Sequence, residues 1–327
     1  MGYDFTVLVV TYYSDREKLL ETLNSIVAQK DVSFEIVIAD DGSDVFYRQD
    51  ICDFMAERGF THYQIVENAE NHGTVCNLLS GLEVSRGKYV KTISPGDYLY
   101  DDHTLSKLCS FMQEHDAKVL FADLVYYSYE DGRLTIYPHR DPWDDSIYLP
   151  DRPYSQKKVL KHELVYSDTI CGAGTAFETE LFRSQLKRLE GTVIYAEDAV
   201  IQLMALQGHR VWKYPGIMVW YEYGSGISTN SELGFGQKIT QDFYNFTKWL
   251  TEHYGEEPYV RRAWKKWQIL IQNDRKKYLQ LRLQWWDMNL FSMRRRLFLK
   301  NYRLEGVDED WFYAFHDLSG KARLPDA

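Results

Sequence analysis

The chain reads as an α/β protein with a largely parallel sheet flanked by helices, followed by an all-helical appendage. Three observations predict this. Apolar, β-branched runs of strand length recur at Phe5–Thr11, Phe34–Ala39 and Lys88–Ile93, hydrophobic enough to be covered on both faces. Segments with an apolar stripe of helical period lie between them, and a strand, a helix and a strand within about forty residues make a right-handed βαβ unit with parallel pairing. After about residue 235 only helical stripes remain.

The elements follow in order. Tyr12-Tyr13-Ser14-Asp15 is a loop, and Ser14 or Asp15 can cap a helix whose stripe is Leu19, Leu23, Ile26 and Val27. The second strand ends in Asp40-Asp41-Gly42-Ser43-Asp44, residues 46–59 read as helical, and Gln64-Ile65-Val66 is a short strand before Asn71-His72-Gly73. A helix from Val75 to Ser85 stops at Gly87. The next strand halts at Pro95-Gly96, a sharp turn that places Asp97 at its carboxyl end. In open α/β sheets ligands bind at that edge, so Asp97 either holds a hard cation or diphosphate or satisfies the N–H groups of its own turn. Because successive parallel strands end in hydroxyl-bearing or acidic loops, Thr11, Asp41 and Asp97 are expected to cluster.

Thr104 to His115 reads as a helix, Val119 to Tyr126 as a strand, and 128–155 as a hairpin with a surface loop. Cys171-Gly172-Ala173-Gly174 lacks the spacing and the Lys-Ser/Thr of a phosphate-binding P-loop; its glycines imply close backbone approach to a ligand or a strand. Glu197-Asp198 opens a helix running through Gln207-Gly208. Paired acids there either favour the helix dipole or hold a general base.

Composition narrows the class. The chain has 327 residues, enough for one large domain or a domain plus an appendage. A formal charge of −10 argues against a general nucleic-acid binder. No apolar run approaches a membrane span, and the opening Met1-Gly2-Tyr3-Asp4 does not read as a signal peptide. Cys52, Cys76, Cys109 and Cys171 form no Cys-x-x-Cys pair, so neither a zinc site nor a disulfide framework is expected, and a reducing, cytoplasmic setting fits.

Taken together, Thr11-Tyr12-Tyr13-Ser14, Ile38-Ala39-Asp40-Asp41-Gly42-Ser43, Asn71-x-Gly73, Gly81, Gly87-x-Tyr89, Gly96-Asp97 and Glu197-Asp198 resemble, in this order, the motifs of family-2 glycosyltransferases. The resemblance covers roughly residues 3–232 and implies a GT-A fold, a UDP-sugar donor, a divalent Mn²⁺ or Mg²⁺ ion and inversion at the anomeric carbon. Carried over by position, it implies that Thr11 and Tyr13 line the nucleoside pocket and that Asp41 faces the uracil edge. It further implies that Asp97, with Pro95 and Gly96 in the donor loop, meets the metal and diphosphate. Asp198 is then the catalytic base, with Glu197 beside it. Where the family commonly has Asp-x-Asp-Asp, this chain has Ser94-Pro95-Gly96-Asp97; Leu78-Leu79 replaces an Arg-Asn pair, and no histidine stands near Tyr221–Ser225. These departures leave open a weaker metal site or a glycan-binding scaffold without catalysis. The Pro-Gly-Asp form and the helical tail also resemble enzymes that extend glycans on streptococcal serine-rich repeat adhesins. The implied product is a glycan lengthened by N-acetylglucosamine ahead of glucose or galactose, on a surface protein, with a capsule or lipid-linked acceptor as the alternative.

The expected division is residues 1–234 for the catalytic domain and 235–327 for a helical domain of about three helices. Its stripes are Ile239, Phe243, Phe246 and Leu250, then Trp264, Trp267, Leu270 and Ile271, then Leu279, Leu283, Trp286 and Leu290. From Arg261 to Arg303 there are 13 Lys or Arg against two acids, and the aromatic supply exceeds what a small domain hides. The segment is expected to join copies of the chain into a homo-oligomer and to help bind the acceptor, the alternatives being that it simply packs on the catalytic domain or meets anionic lipid at a membrane surface.

Overall fold

The computed structural model describes residues 2–224 and 235–316. Its first half alternates as predicted: β1 (Tyr3–Thr11), α1 (Arg16–Val27), β2 (Phe34–Asp40), α2 (Arg48–Glu57), β3 (Tyr63–Glu67), α3 (Thr74–Val84) and β4 (Gly87–Ile93). Then follow β5 (Tyr98–Leu99), α4 (Thr104–Glu114) and a hairpin of β6 (Val119–Glu130) and β7 (Arg133–Ile136) turning at Asp131-Gly132. After a long excursion, α5 (Gln156–Leu160) widens into a π-type turn at Lys161–Tyr166 and leads to β8 (Thr175–Glu178), α6 (Thr179–Leu189), α7 (Ala199–Leu206) and β9 (Val211–Glu222).

The strands form one sheet in the order β3-β2-β1-β4-β8-β6-β9-β5, with β7 on β6. The first four are parallel, with Thr11 opposite Asp40 and Val9 opposite Ile93. Chain order reverses between β1 and β4, which makes the crevice beyond their carboxyl ends the topological switch point. Past β4 the parallel expectation stops, because β8 runs antiparallel to both β4 and β6. The excursion delivers the chain back at the edge where β4 ends, so β8 can only run the other way.

Alternation along β1 separates the two cores. Val7 and Val9 meet Leu19, Leu23 and Ile26 of α1 and Ile51 and Met55 of α2, with Leu105 and Leu108 of α4 in the same cluster. Leu8 and Val37 face the other way, in a cluster with Val75, Leu78 and Leu82 of α3, Phe182 and Leu186 of α6, and Val200 and Leu203 of α7. Burying side chains of this size stabilises the fold by about 1.5–3 kcal/mol each.

The helical segment has five helices among the described residues rather than three: α8 (Phe235–Tyr254), α9 (Pro258–Leu270), α10 (Arg275–Gln284), α11 (Trp286–Asn301) and α12 (Glu309–His316). Local signals make the extra breaks. Asn273 adopts a left-handed φ of 49°, Asp274 caps α10 by accepting from the Lys277 N–H, and Trp285 leaves helical geometry between α10 and α11. The stripe expected on one helix is therefore split, and Leu279, Leu283, Trp286 and Leu290 are all exposed, with Leu283 at 79%. By contrast Phe246 and Leu250 of α8 and Val260 and Ala263 of α9 are buried in the same cluster as α3, α6 and α7. Phe312 of α12 is buried with Tyr98, Tyr127 and Trp220. The expected boundary at 234 and the end of the expected helical domain lie outside the described residues.

Candidate functional site at the carboxyl edge of the sheet

At the ends of β1 and β2 the acids are committed to hydrogen bonds that shape the loops. The Thr11 hydroxyl donates to Asp40 Oδ1 at 2.8 Å, and Asp40 also accepts from the Ser43 N–H at 2.7 Å and the Ser43 hydroxyl at 2.8 Å. The two Asp41 oxygens accept from the N–H groups of His72 at 3.0 Å and Gly73 at 2.8 Å, so Asp41 joins the β2 loop to the start of α3. Burial raises its pKa. Each carboxylate oxygen retains a second lone-pair site. Gly42 has a φ of +73°, and a Cβ there would stand 2.5 Å from the Glu70 backbone. Tyr13, at a φ of 45°, donates its N–H to Ser43 Oγ at 2.8 Å and its hydroxyl to Asp44 at 2.5 Å, leaving its ring on the open rim.

At the switch point, Gly96 takes a φ of +96°, donates its N–H to the Thr22 hydroxyl at 3.0 Å, and accepts from the Tyr127 hydroxyl at 2.5 Å through its carbonyl. Ser94 is exposed and Pro95 half-buried. Asp97 is buried, and its Oδ1 accepts from the Glu222 N–H at 3.0 Å. The capping role is thus real, and the carboxylate is held both by the Ser94 N–H of its own turn and by the Glu222 N–H at the end of β9. Burial lifts Asp97 to about 7, against the lowering pull of the Glu222 N–H and the Lys91 charge.

Three charged neighbours escaped the sequence reading. Lys91 points into the core from β4, its Nζ donating to the carbonyls of Thr92 at 2.5 Å and Ala173 at 2.7 Å, and burial draws it down to about 8. Lys18 of α1 grips both oxygens of Glu222 at 2.6 and 2.7 Å. The Glu222 carboxylate hangs over Gly96, where a Cβ would lie 2.5 Å from its Oε2. A charged residue inside the apolar run Tyr89–Ile93 was a signal for Lys91. Nothing local marks Glu222, which becomes relevant only because β9 ends beside Asp97.

Glu197 and Asp198 stand at the start of α7. Asp198 is its N-cap residue without the usual side-chain capping bond, its carboxylate accepting from the Ala199 N–H instead. The glycine cluster explains the access: a Cβ on Gly172 would lie 2.8 Å from Glu197 Oε1 and 3.6 Å from the Asp198 Cβ. Burial pushes both carboxyls up, Asp198 to about 6 and Glu197 further, the latter also by the neighbouring Asp198 charge. Like charges so close titrate as a pair, so the site retains a proton near neutrality.

The loop before this pair is held from the C-terminal segment. One oxygen of Asp242 in α8, Oδ2, accepts from the N–H groups of Ile194 at 3.1 Å, Tyr195 at 2.6 Å and Ala196 at 3.1 Å. The Ile194 carbonyl accepts from the Val75 N–H at 3.0 Å. Asp242, the 194–196 loop, α3 and Asp41 are therefore one chain of contacts, and Asp242 too was missed by the sequence reading.

For a divalent cation the donor set is modest. Among the described residues no three His, Cys, Asp or Glu side chains converge on a common point. Asp97 and Glu222 are close enough for their charges to interact. One or two carboxylates suit Mg²⁺ or Mn²⁺ when substrate phosphates complete the shell, so the residues fit an ion brought with a diphosphate.

Removing the Asp242 carboxylate strands three backbone donors. Asp242→Ala is expected to lower unfolding stability by about 2 kcal/mol or more, with Asp242→Asn milder because it keeps an acceptor. Urea denaturation of the two variants checks the order.

Residues 6–180, more than half the chain, match the family model described as Glycosyl transferase family 2. Glycosyltransferase GlyG of Streptococcus pneumoniae is 29% identical over 131 residues, which are 40% of this chain and 42% of that protein. The first 349 residues of Staphylococcus aureus TarS superpose with a TM-score of 0.54 at 17% identity, covering 95% of this chain and 78% of that one. A mannosyltransferase from Pyrobaculum calidifontis, solved with GDP-Man and Mn²⁺, superposes with a TM-score of 0.56 at 16% identity, covering 86% and 73%. At such identities the structural likeness speaks to the fold, which is GT-A; the sequence match decides the family, and the chain belongs to glycosyl transferase family 2.

Proposed function

We propose that this chain is an inverting glycosyltransferase that moves one sugar from a UDP-sugar to a growing glycan, with N-acetylglucosamine ahead of glucose and galactose. The observation that carries the reading is the gathering of Asp41, Asp97 and the Glu197–Asp198 pair at the switch-point crevice of one sheet. A TarS structure solved with UDP, at a TM-score of 0.52, and the GDP-Man and Mn²⁺ complex above support a nucleotide-sugar donor. Thr11, Tyr13 and Asp41 face the nucleoside, while Pro95, Gly96 and Asp97 form the diphosphate loop, with Asp97 and Glu222 as carboxylates for Mn²⁺ or Mg²⁺. The ion, when bound, neutralises charge on the departing diphosphate. Asp198 accepts the acceptor hydroxyl's proton as that oxygen bonds to the anomeric carbon and the bond to the diphosphate breaks. Glu197, protonated, limits the charge beside it. Inversion in one displacement needs no covalent intermediate.

The acceptor in this reading is a partly glycosylated surface protein. The exposed face of α10 and α11 favours a second reading, a lipid-linked acceptor at a membrane surface, because Leu283, Trp286, Met293 and Leu297 lie exposed in a segment rich in arginine. No helix among the described residues is long and apolar enough to cross a membrane. We assign that face first to self-association and keep residues 1–234 and 235–327 as catalytic and helical units of a cytoplasmic protein.

Nucleotide release from a panel of UDP-sugars, with Mn²⁺ and with EDTA, tests the donor and the metal together. One donor is expected to be cleaved in a metal-dependent way. Asp97→Asn, which keeps the acceptor for the Glu222 N–H, is expected to abolish that dependence; unchanged metal dependence would remove Asp97 from the role.

Asp198→Asn is expected to cut transfer about 100-fold or more with donor affinity retained. Since the raised pKa leaves Asp198 protonated in acid, kcat/KM is expected to rise through about pH 6 and then level; a flat profile down to pH 5 would count against Asp198 as base. Light scattering of a Leu283→Glu/Trp286→Glu double variant is expected to show a smaller particle than the wild type, and an unchanged mass would exclude this face as the interface.

A further inference from the structure

Helix α1 presents one row of side chains to the segment from Gly96 to Asp102. The Thr22 hydroxyl donates to the Asp97 carbonyl at 2.9 Å and accepts the Gly96 N–H at 3.0 Å. Ser25 Oγ accepts the Leu99 N–H at 3.2 Å, and Gln29 donates to the Asp101 carbonyl at 2.6 Å. Lys18 stands one turn before Thr22 and so belongs to the same row, but it breaks the pattern. It gives two of its three N–H donors to the carboxylate of Glu222, at 2.6 and 2.7 Å, instead of to the loop backbone.

Stability does not account for this pair. Lys18 is 39% exposed and Glu222 14%, and ion pairs so near water add little to folding. The loop is already anchored by Thr22, Ser25 and Gln29. The end of β9 is held by the Glu222 N–H on Asp97 and by the Tyr223 N–H on the Tyr127 carbonyl. Nor is a lysine the best choice for a permanent bridge to two oxygens, which the planar fork of arginine matches better; lysine brings a compact charge on a flexible four-carbon stem. Such a pair can part without loosening either element.

Its place says what would part it. A Cβ on Gly96 would lie 2.5 Å from Glu222 Oε2 and 3.5 Å from Lys18 Cδ, so both charged side chains lie along the loop assigned above to the diphosphate. Asp97 beside them feels the charges of Glu222 and Lys91. Lys91 is fully buried and fixed on the carbonyls of Thr92 and Ala173, so it cannot follow a ligand. Lys18 can. We propose that Lys18 is an exchangeable counter-charge: without donor its ammonium occupies the Glu222 carboxylate and holds off a bare divalent cation, and when donor and ion arrive together it passes from Glu222 to the diphosphate. The exchange keeps the charges balanced, because the ion takes over the carboxylate as the ammonium meets a phosphate oxygen. Ion and donor therefore help each other to bind. The inference rests on the glycosyltransferase reading for the identity of both.

Two titrations of the full chain test the exchange: Mn²⁺ alone, read by loss of the free-ion paramagnetic resonance signal, and UDP in EDTA, read by calorimetry. Lys18→Met keeps the stem and removes the charge. It is expected to bind Mn²⁺ alone about fivefold tighter than the wild type or more, and UDP in EDTA about fivefold weaker or more. A merely structural lysine would lower Tm without moving the two constants in opposite directions. Lys18→Arg, which keeps the charge, is expected to bind Mn²⁺ alone no better than the wild type, and adding Glu222→Gln to Lys18→Met is expected to remove the gain. Equal Mn²⁺ affinity in wild type and Lys18→Met, unchanged UDP affinity, the same gain in Lys18→Arg, or a gain that survives Glu222→Gln would each overturn the exchange while leaving metal and donor in place. Binding of neither Mn²⁺ nor UDP by any of these proteins would instead remove the metal and donor of the transferase reading, and the exchange with them.

Discussion

Asp242 accepts three consecutive backbone N–H groups from the loop that carries Glu197 and Asp198, and most of the candidate site depends on that contact. A loop with three unpaired N–H groups facing the protein would have to open toward water or find another acceptor. Supplied with one carboxylate, it turns tightly, lends its Ile194 carbonyl to the start of α3, and sets the two acids against the Gly172 backbone. Because Asp242 sits on α8, the Glu197–Asp198 pair is positioned by a helix that follows the whole sheet in sequence. The helical segment is in this sense a structural part of the site.

The same edge holds more buried charge than folding alone would favour. Asp97, Lys91 and Lys213 are almost wholly removed from water, and desolvation shifts each toward its neutral form. Replacing such groups with apolar ones is often neutral or stabilising, so their presence is better explained by what the edge must bind than by stability. Lys18 and Glu222 extend this arrangement to the rim, joining α1 to the end of β9 directly above Gly96. The missing side chain at Gly96 and the carboxylate from β9 are complementary: a residue larger than glycine would have to displace Glu222.

The helical segment faces two ways. Its inner surface continues the core through Phe246, Leu250, Val260 and Ala263, and Lys266 of α9 closes the end of the π-type turn with three hydrogen bonds. Its outer surface leaves large apolar side chains in solvent among arginines, which is the pattern of a surface that meets something else. The inner surface also carries Asp242, so burial and the placing of the Glu197–Asp198 loop arise from the same packing.

Much of the fold was legible because its signals are local. Strand-length apolar runs, the helical stripe of α1, and stops such as Pro95-Gly96 act over a few residues, and the βαβ handedness rule converts them into a parallel sheet with Thr11, Asp41 and Asp97 at one edge. The glycines at 172 and 174 likewise announced close backbone approach, which the structure realises against Glu197 and against the Ala122 carbonyl. What remained hidden was non-local. The antiparallel β8 follows from where a long excursion re-enters the sheet, and the split of the last apolar stripe from the geometry at Trp285, so neither shows as a change of period. Lys18, Glu222 and Asp242 look like ordinary surface residues in sequence. Each gains its role only when an element far along the chain is packed beside the crevice, since hydrogen bonds and burial are set by distance in space. The sequence by itself determined which chemistry-bearing residues stand at strand and helix ends; the tertiary structure decided which carboxylates are tied and which are buried, because both depend on what lies near in space.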